Sequence, residues 1–288
     1  SQQQREDWVF FVLHSVFLCF VEDRMPILKE DFSKKKWKHR LSTESRQQLS
    51  KILDPYEFLW TEHSEHAIGP DILGLLFENV LGFLEHEQSN LRHNTGSFYT
   101  PPQIVDYMIE ESLLLYLERN ISITDNTKEK LHQLLRCRTP LSPKNLFEEE
   151  AEITKEIVKN LSTCKILDPC SGAGAFSMGV LEKMVELLDI LDPQNTIWKE
   201  IHALGHPDRI EMMDGIFDQK KASPRFAKKF FLIQNCIFGV DIQPLATQIC
   251  TWRCFLSLMS EIKKETWKNP QQISNVLKCT PMNFVSAN

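Results

Sequence analysis

The residues best suited to chemistry form a short segment with two glycines, Asp168-Pro-Cys-Ser-Gly172-Ala-Gly174-Ala-Phe176. Glycines at this spacing let the backbone approach a ligand closely and adopt conformations that side chains disfavour. A Gly-x-Gly alone is weak evidence, since a ligand-free turn between a strand and a helix needs the same residues. The carboxylate of Asp168, directly before the glycines, indicates more about the ligand.

Two ligand classes bind such segments, and the residues favour one of them. The pyrophosphate-binding pattern Gly-x-Gly-x-x-Gly is not met, because position 177 is Ser. A carboxylate at the end of a strand would repel a pyrophosphate but attract a cationic ligand. S-adenosylmethionine carries a sulfonium and an ammonium group and has no phosphate. The segment therefore favours a methyl donor over a dinucleotide.

A second acid ends another apolar run, Ile237-Phe-Gly-Val-Asp241. From this position a carboxylate accepts hydrogen bonds from ribose hydroxyls, usually about 20 residues after the glycines. Asp241 lies 73 residues after Asp168, so a long insertion, roughly residues 192–235, must leave the two strands adjacent. The alternative is that Asp241 is only a turn residue at the end of a strand.

The elements around these acids predict an α/β fold. Three short apolar runs resemble strands, and the first two are each followed by a long helix with apolar periodicity, which is typical of a doubly wound parallel sheet. The predicted strands are Lys165–Leu167, Ile237–Val240 and Phe284–Ser286, and the helices are Met178–Leu191 and Leu245–Met259.

Before the sheet, the chain has a different character. Residues 1–95 show helical periodicity, for example over Trp8–Val21 and Asp71–Gly82, and no strand pattern. A polar stretch that ends at Gly96 separates them from a helix with Thr100 as N-cap, Pro101 at its first position and Gln103 in a capping box. We therefore predict an all-helical domain at 1–95 and an α/β domain at 96–288.

The composition indicates where the protein is located and whether it contains disulfides or metal sites. The chain has 288 residues, 42% of them hydrophobic, and neither a membrane-spanning stretch nor a secretory signal is recognisable, so we expect a cytoplasmic protein. The eight cysteines contain no Cys-x-x-Cys pair and are predicted to be free and mostly buried. Cys250 with Cys254, and His63 with His66, lack the further ligands of a zinc site, and we expect no metal.

The charge pattern neither supports nor excludes nucleic acid. The formal net charge is −6, whereas phosphate contacts dominate affinity for DNA. Two basic clusters, at residues 34–40 and at Lys220, Lys221, Arg225, Lys228 and Lys229, could follow a phosphate backbone. A solvated face is the interpretation that we favour for both.

Together, three segments resemble a known family. Residues 96–108, Gly-Ser-Phe-Tyr-Thr-Pro-Pro-Gln-Ile-Val-Asp-Tyr-Met, with 166–176 and 237–249, in this order, are similar to the adenine-N6 DNA methyltransferases of the gamma class. The likeness is strongest to the methyltransferase part of type IIG restriction–modification enzymes and covers about residue 70 to the end. It implies a Rossmann-like methyltransferase sheet, S-adenosylmethionine as cofactor and double-stranded DNA as partner. Residues 1–95 would then be a helical connector.

The resemblance also implies roles for individual residues. Phe98, Tyr99, Thr100 and Pro101 match the flanking cofactor motif, and Asp241 matches the ribose-binding acid, with Ile242 beside the adenine ring. Asn288 matches a polar residue after the third strand. The loop under the methionine part of the cofactor matches Asp168, Pro169, Cys170, Ser171, Gly172 and Gly174, with Phe176 following.

One family motif is missing. The family holds the target adenine with Asn or Asp followed by Pro-Pro and then Tyr or Phe, and no such tetrapeptide occurs in these 288 residues. No catalytic residue is therefore assigned, the methyltransferase domain is expected to be truncated before this motif, and the 288 residues alone are expected to be inactive. The rival interpretations are a dinucleotide-binding oxidoreductase and a non-catalytic helical and α/β interaction module.

Overall fold

The computed structural model describes twelve stretches of the chain: 12–17, 47–48, 51–52, 57–58, 67–68, 74–76, 100–122, 124–136, 146–147, 150–203, 223–262 and 282–287. Two compact units divide the chain. The first consists of Ser1–Tyr99, Cys170–Gly174 and Val240–Asn288, and the second of Thr100–Pro169 and Ala175–Gly239. The domain boundary predicted at residue 95 stays a prediction.

The second unit is built mainly from helices around a central one. Its described helices are α1 (Pro102–Asn120), α2 (Asp125–Arg136), α3 (Ala151–Thr163), α4 (Ala175–Leu191), α5 (Thr196–Ala203) and α6 (Pro224–Asn235). Helix α4 packs against α1, α3 and α6, while α1 also contacts α2 and α3, and α5 contacts α3. The apolar face of α4, including Leu181, Met184 and Leu188, is fully buried.

Helix α1 starts one residue later than the sequence predicts. Its N-cap is Pro101, with φ −54° and ψ 141°, Pro102 is its first residue, and no side chain caps it. The predicted N-cap role of Thr100 and the capping box with Gln103 are therefore wrong. A proline disfavours helical ψ in the residue before it, so Pro102 keeps Pro101 outside the helix.

The predicted strands and their adjacency are confirmed. Strands β3 (Ile166–Asp168) and β4 (Ile237–Asp241) pair in parallel, with Ile166 opposite Ile237 and Asp168 opposite Gly239. Strand β5 (Asn283–Ser286) lies on the other side of β4, which gives the order β3-β4-β5. The insertion between β3 and β4 therefore leaves the two strands side by side. The result is a mostly helical α/β arrangement with a small sheet.

The described part of the second basic cluster, Arg225, Lys228 and Lys229, is not a solvated face, contrary to the prediction, while Lys220 and Lys221 lie outside the described residues. Lys228 is fully buried, and its Nζ donates to Asp189 Oδ1 at 2.8 Å and to two carbonyl oxygens at the end of α4. Lys229 is also buried and pairs with Glu182. Arg225 pairs with Glu182 and Asp189. The cations of α6 thus neutralise acids of α4, and a phosphate backbone cannot reach Lys228.

The first unit contains helix α7 (Pro244–Ser260) beside β5. Residues 12–17 are helical and pack on α7 through Phe17, whose ring lies 5.0 Å from Trp252 and 5.7 Å from Phe255. Strands β1 (Glu57–Phe58) and β2 (Ala67–Ile68) form a parallel pair, whereas we expected only helices before residue 95. A two-residue strand has no alternation for a sequence pattern to reveal.

The described cysteines of the second unit, Cys164 and Cys236, are free thiols, as predicted. Cys164 precedes β3 and Cys236 precedes β4, and both are buried. Burial raises the pKa of Cys164 to about 11 and that of Cys236 to about 12, so both remain protonated. Among the helices that the structure describes, none is long and apolar enough to cross a membrane.

Candidate functional site: the glycine loop

The candidate site is the loop Cys170–Gly174, which follows β3 and belongs to the first unit. Ser171 N–H donates to the carbonyl of Val240 at 2.9 Å, and Gly174 N–H donates to the carbonyl of Ser171 at 2.7 Å. The second bond closes a four-residue turn. Gly172, the first central residue of this turn, has φ +50°, and Gly174 has φ +84°. Both glycines thus occupy left-handed conformations, which L-residues with a side chain adopt at a cost.

The predicted ribose-binding acid contacts this turn directly. Asp241 Oδ2 accepts a hydrogen bond from Gly172 N–H at 2.8 Å, and Asp241 Oδ1 accepts one from Gln243 N–H at 2.8 Å. An ionised carboxylate has about four acceptor positions. Each oxygen therefore keeps the capacity to accept a further donor, such as a ribose hydroxyl.

The two glycines face different surroundings. A Cβ added at Gly174 would lie 2.5 Å from Cys250 Sγ, so this glycine is packed against α7. A Cβ added at Gly172 would meet no atom of the described residues within 4 Å. The open side of the turn is therefore at Gly172, where a ligand can approach the backbone.

Three side chains near the turn offer different chemistry. Ser171 is buried, and its Oγ has no hydrogen-bond partner among the residues that the structure describes. Cys170 is exposed, and Ile242, directly after Asp241, is 54% exposed. A large aliphatic side chain left this open beside a carboxylate can cover an apolar ring face of a ligand.

The remaining predicted residues lie elsewhere in the chain. Asp168 is the last residue of β3, and Pro169 follows it as an exposed residue. Phe176 is half-buried in the first turn of α4, and Thr100 and Pro101 precede α1. All five belong to the second unit. Phe98, Tyr99 and Asn288, the first basic cluster at 34–40, and His63 and His66 lie outside the described residues.

Metal ligation finds no support in the part of the chain that the structure describes. Cys250 and Cys254 are both buried in α7. No group of three or more His, Cys, Asp or Glu side chains that could hold a metal ion occurs among the described residues.

Sequence reasoning missed one residue of the loop's surroundings, Arg253. Its Nη1 donates to the carbonyl of Ala173 at 2.8 Å, and the residue is only 8% exposed. A signal was present in the sequence, because Arg253 is an isolated cation in the apolar run of α7 from Thr251 to Met259. A buried arginine is rare unless it has a hydrogen-bonding task.

Comparison with known proteins adds one relative. No protein-family model and no solved structure matches the chain. The chain is similar to a curated protein of Methanocaldococcus jannaschii that carries the provisional name of a type II restriction enzyme and methyltransferase, with 27% identity over 222 residues. The match covers 75% of this chain but 16% of that protein, so the chain spans a small part of its relative's length. It supports a relationship to a restriction–modification methyltransferase.

Proposed function

We propose that the glycine loop and Asp241 bind S-adenosylmethionine, and that the chain is the cofactor-binding part of a DNA methyltransferase of a restriction–modification system. The observation that carries the proposal is the bond from Gly172 N–H to Asp241 Oδ2. It joins the open turn after β3 to the acid at the end of β4. In parallel sheets, ligands bind beyond these carboxyl ends of the strands.

The arrangement suits a cationic nucleoside better than a dinucleotide. The open backbone at Gly172 would lie under the methionine part, while Asp241 would accept the ribose hydroxyls and Ile242 would cover the adenine. Asp168, which ends β3, is proposed as a cofactor contact from the resemblance. A carboxylate such as that of Asp241 attracts a sulfonium and an ammonium group but opposes a pyrophosphate.

The remaining cofactor contacts are proposed from the resemblance. In the flanking motif these are Phe98, Tyr99, Thr100 and Pro101. In the loop they are Pro169, Cys170, Ser171 and Gly174, and beyond it Phe176 and Asn288. Ser171 is the strongest of these, because a buried hydroxyl that has no partner among the described residues gains a hydrogen bond when a ligand supplies one.

The proposed substrate of the whole protein is adenine in double-stranded DNA. The likeness of residues 96–108 to the flanking motif of adenine-N6 methyltransferases supports the choice of adenine, and the name of the M. jannaschii relative supports only a restriction–modification methyltransferase. A longer protein that contains this chain should transfer a methyl group from S-adenosylmethionine to adenine N6. Mass spectrometry of nucleosides from incubated DNA would distinguish N6-methyladenine from methylated cytosine, and methylated cytosine alone would contradict the proposed base.

Donor binding by the chain itself is tested by thermal stabilisation. Ligands that bind only the folded state raise the melting temperature, and the rise grows with the logarithm of the ligand concentration above the Kd. We expect S-adenosylmethionine and S-adenosylhomocysteine to raise it and NAD⁺ to leave it unchanged. Stabilisation by NAD⁺ alone would favour a dinucleotide-dependent oxidoreductase, and no stabilisation by any of the three would favour a ligand-free interaction module.

A further inference from the structure

Arg253 belongs to α7 and contacts the glycine loop from that helix. Its Nη1 donates to the carbonyl of Ala173 at 2.8 Å in a buried position. The peptide bond between Ala173 and Gly174 is a planar unit whose C=O and N–H point in opposite directions. The carbonyl is held by Arg253, and the N–H of Gly174 donates to the carbonyl of Ser171. The Arg253 bond therefore fixes the orientation of the peptide plane that closes the turn.

This fixation matters because the loop is otherwise permissive. Gly172 and Gly174 both have positive φ, and glycine crosses between left-handed and right-handed conformations more easily than any other residue. A loop with two glycines in five residues is expected to sample several conformations without external constraints. A charge-assisted hydrogen bond from a buried guanidinium is among the stronger constraints that a protein can supply.

The guanidinium is itself held in place from the N-terminal region. Residues 74–76 are helical, and a Cβ added at Gly74 would lie 2.9 Å from Arg253 Nη1 and 3.2 Å from its Cζ. The backbone at Gly74 therefore packs against the guanidinium, and a side chain at this position would require the end of the Arg253 side chain to shift. Gly74, Arg253 and Ala173 form a continuous chain of contacts within the first unit.

We propose that Arg253 is a positioning residue of the methyl-donor site. It orients the glycine loop through the Ala173 carbonyl, and the backbone at Gly74 packs against the Arg253 guanidinium and restricts its position. The inference rests on the proposed function of the loop. It assigns part of the N-terminal region to the support of the cofactor site. A substitution at Gly74, which has no direct role in the loop, should change the affinity for the donor.

The test is a double-mutant cycle read by donor affinity. Calorimetric titration with S-adenosylmethionine, at a temperature where circular dichroism shows every variant folded, would compare the wild type with Arg253→Met, Gly74→Ala and the double variant. We expect Arg253→Met to weaken binding about tenfold, the effect of one lost hydrogen bond. Gly74→Ala should weaken binding by a smaller factor. The double variant should bind like Arg253→Met, because contacting residues couple.

A control substitution separates positioning of the loop from general destabilisation of the protein. Ser260→Ala alters the end of α7, where Ser260 Oγ donates to the carbonyl of Ser257, and should leave affinity unchanged. The inference would be overturned if both Arg253→Met and Gly74→Ala bound the donor with wild-type affinity. It would also be overturned if the two losses of affinity simply added in the double variant.

A second readout keeps this inference separate from the proposed function. If the wild type binds no donor, the proposed function fails, and amide hydrogen exchange at residues 171–174 in the ligand-free protein decides the role of Arg253. Faster exchange at Gly172 and Gly174 in Arg253→Met, with unchanged exchange in the helices of the second unit, supports positioning of the loop. Unchanged exchange in the loop contradicts it.

Discussion

Asp241 Oδ2 and the amide of Gly172 lie 2.8 Å apart, although 69 residues separate them in the chain. The parallel pairing of β3 with β4 brings the acid and the turn to the same end of the two strands. The bond explains two features at once. It satisfies a backbone N–H of the loop, and it holds the carboxylate beside the turn that we propose as the ligand site.

Asp241→Asn should weaken binding of S-adenosylmethionine about tenfold or more, since a charged acceptor contributes more than a neutral one. An amide can replace only one of the two acceptor oxygens, so either Gly172 N–H or Gln243 N–H also loses its partner. Asp189→Asn is the matched control, because Asp189 pairs with Lys228 and Arg225 in the second unit. It should lower the melting temperature and leave affinity unchanged. Equal affinity losses in both variants would contradict the assignment of Asp241.

Alanine at the two loop glycines should destabilise the protein to different extents. Gly174→Ala places a Cβ 2.5 Å from Cys250 Sγ at φ +84° and should lower the free energy of unfolding by about 3 kcal/mol through overpacking and strain. The Cβ of Gly172→Ala meets no atom of the described residues within 4 Å, and the substitution should cost about 1 kcal/mol. Its Cβ enters the space proposed for the ligand, so affinity should still fall. Urea unfolding and calorimetric titration measure both effects, and the reverse order of stabilities would be inconsistent with this geometry.

Stability should fall with alkaline pH because of Cys164 and Cys236. Burial raises their pKa values from 9.0 to about 11 and about 12, so the unfolded chain loses these protons before the folded one does. The stabilisation is complete below pH 9 and decreases as pH rises through 9 towards 11–12. Urea unfolding of the wild type and of Cys164→Ala/Cys236→Ala across this range checks it. The variant should show the shallower decline, and parallel declines would exclude the thiols as the cause.

Lys228→Met should destabilise the second unit by about 3 kcal/mol, as expected when one partner of a buried ion pair is removed. The substitution leaves Asp189 and the carbonyls of Leu188 and Asp192 without the ammonium that they bind. Arg136→Met is the control, because Arg136 pairs with Glu111 at the surface and should change stability by less than about 1 kcal/mol. Similar effects of the two substitutions would show that the burial of Lys228 has no energetic weight.

Sequence patterns predicted the elements that carry strong periodicity. The helices after β3 and β4 were placed to within three residues, and the three strands to within one. The adjacency of β3 and β4 across the long insertion followed from the expected geometry of two acids at one end of a sheet. The helices and strands themselves depend on local residue order, which the sequence shows directly.

Contacts between distant segments were not predictable in this way. The basic residues of α6 were predicted to form a solvated face. The partners of Lys228 on α4, Leu188 and Asp189, lie about 40 residues earlier, and only packing brings them together. Arg253 was missed for the same reason, since its partner Ala173 is 80 residues away. The prediction for the start of α1 failed for a local reason, because the second of two prolines keeps the first outside the helix despite the capping pattern.

The most direct test of the central claim is calorimetric titration of the folded chain with S-adenosylmethionine, alongside Asp241→Asn. The account predicts saturable binding with one site per chain in the wild type and a loss of affinity in the variant. A folded wild-type sample that releases or absorbs no heat of binding at millimolar S-adenosylmethionine would contradict the assignment of the glycine loop as a methyl-donor site.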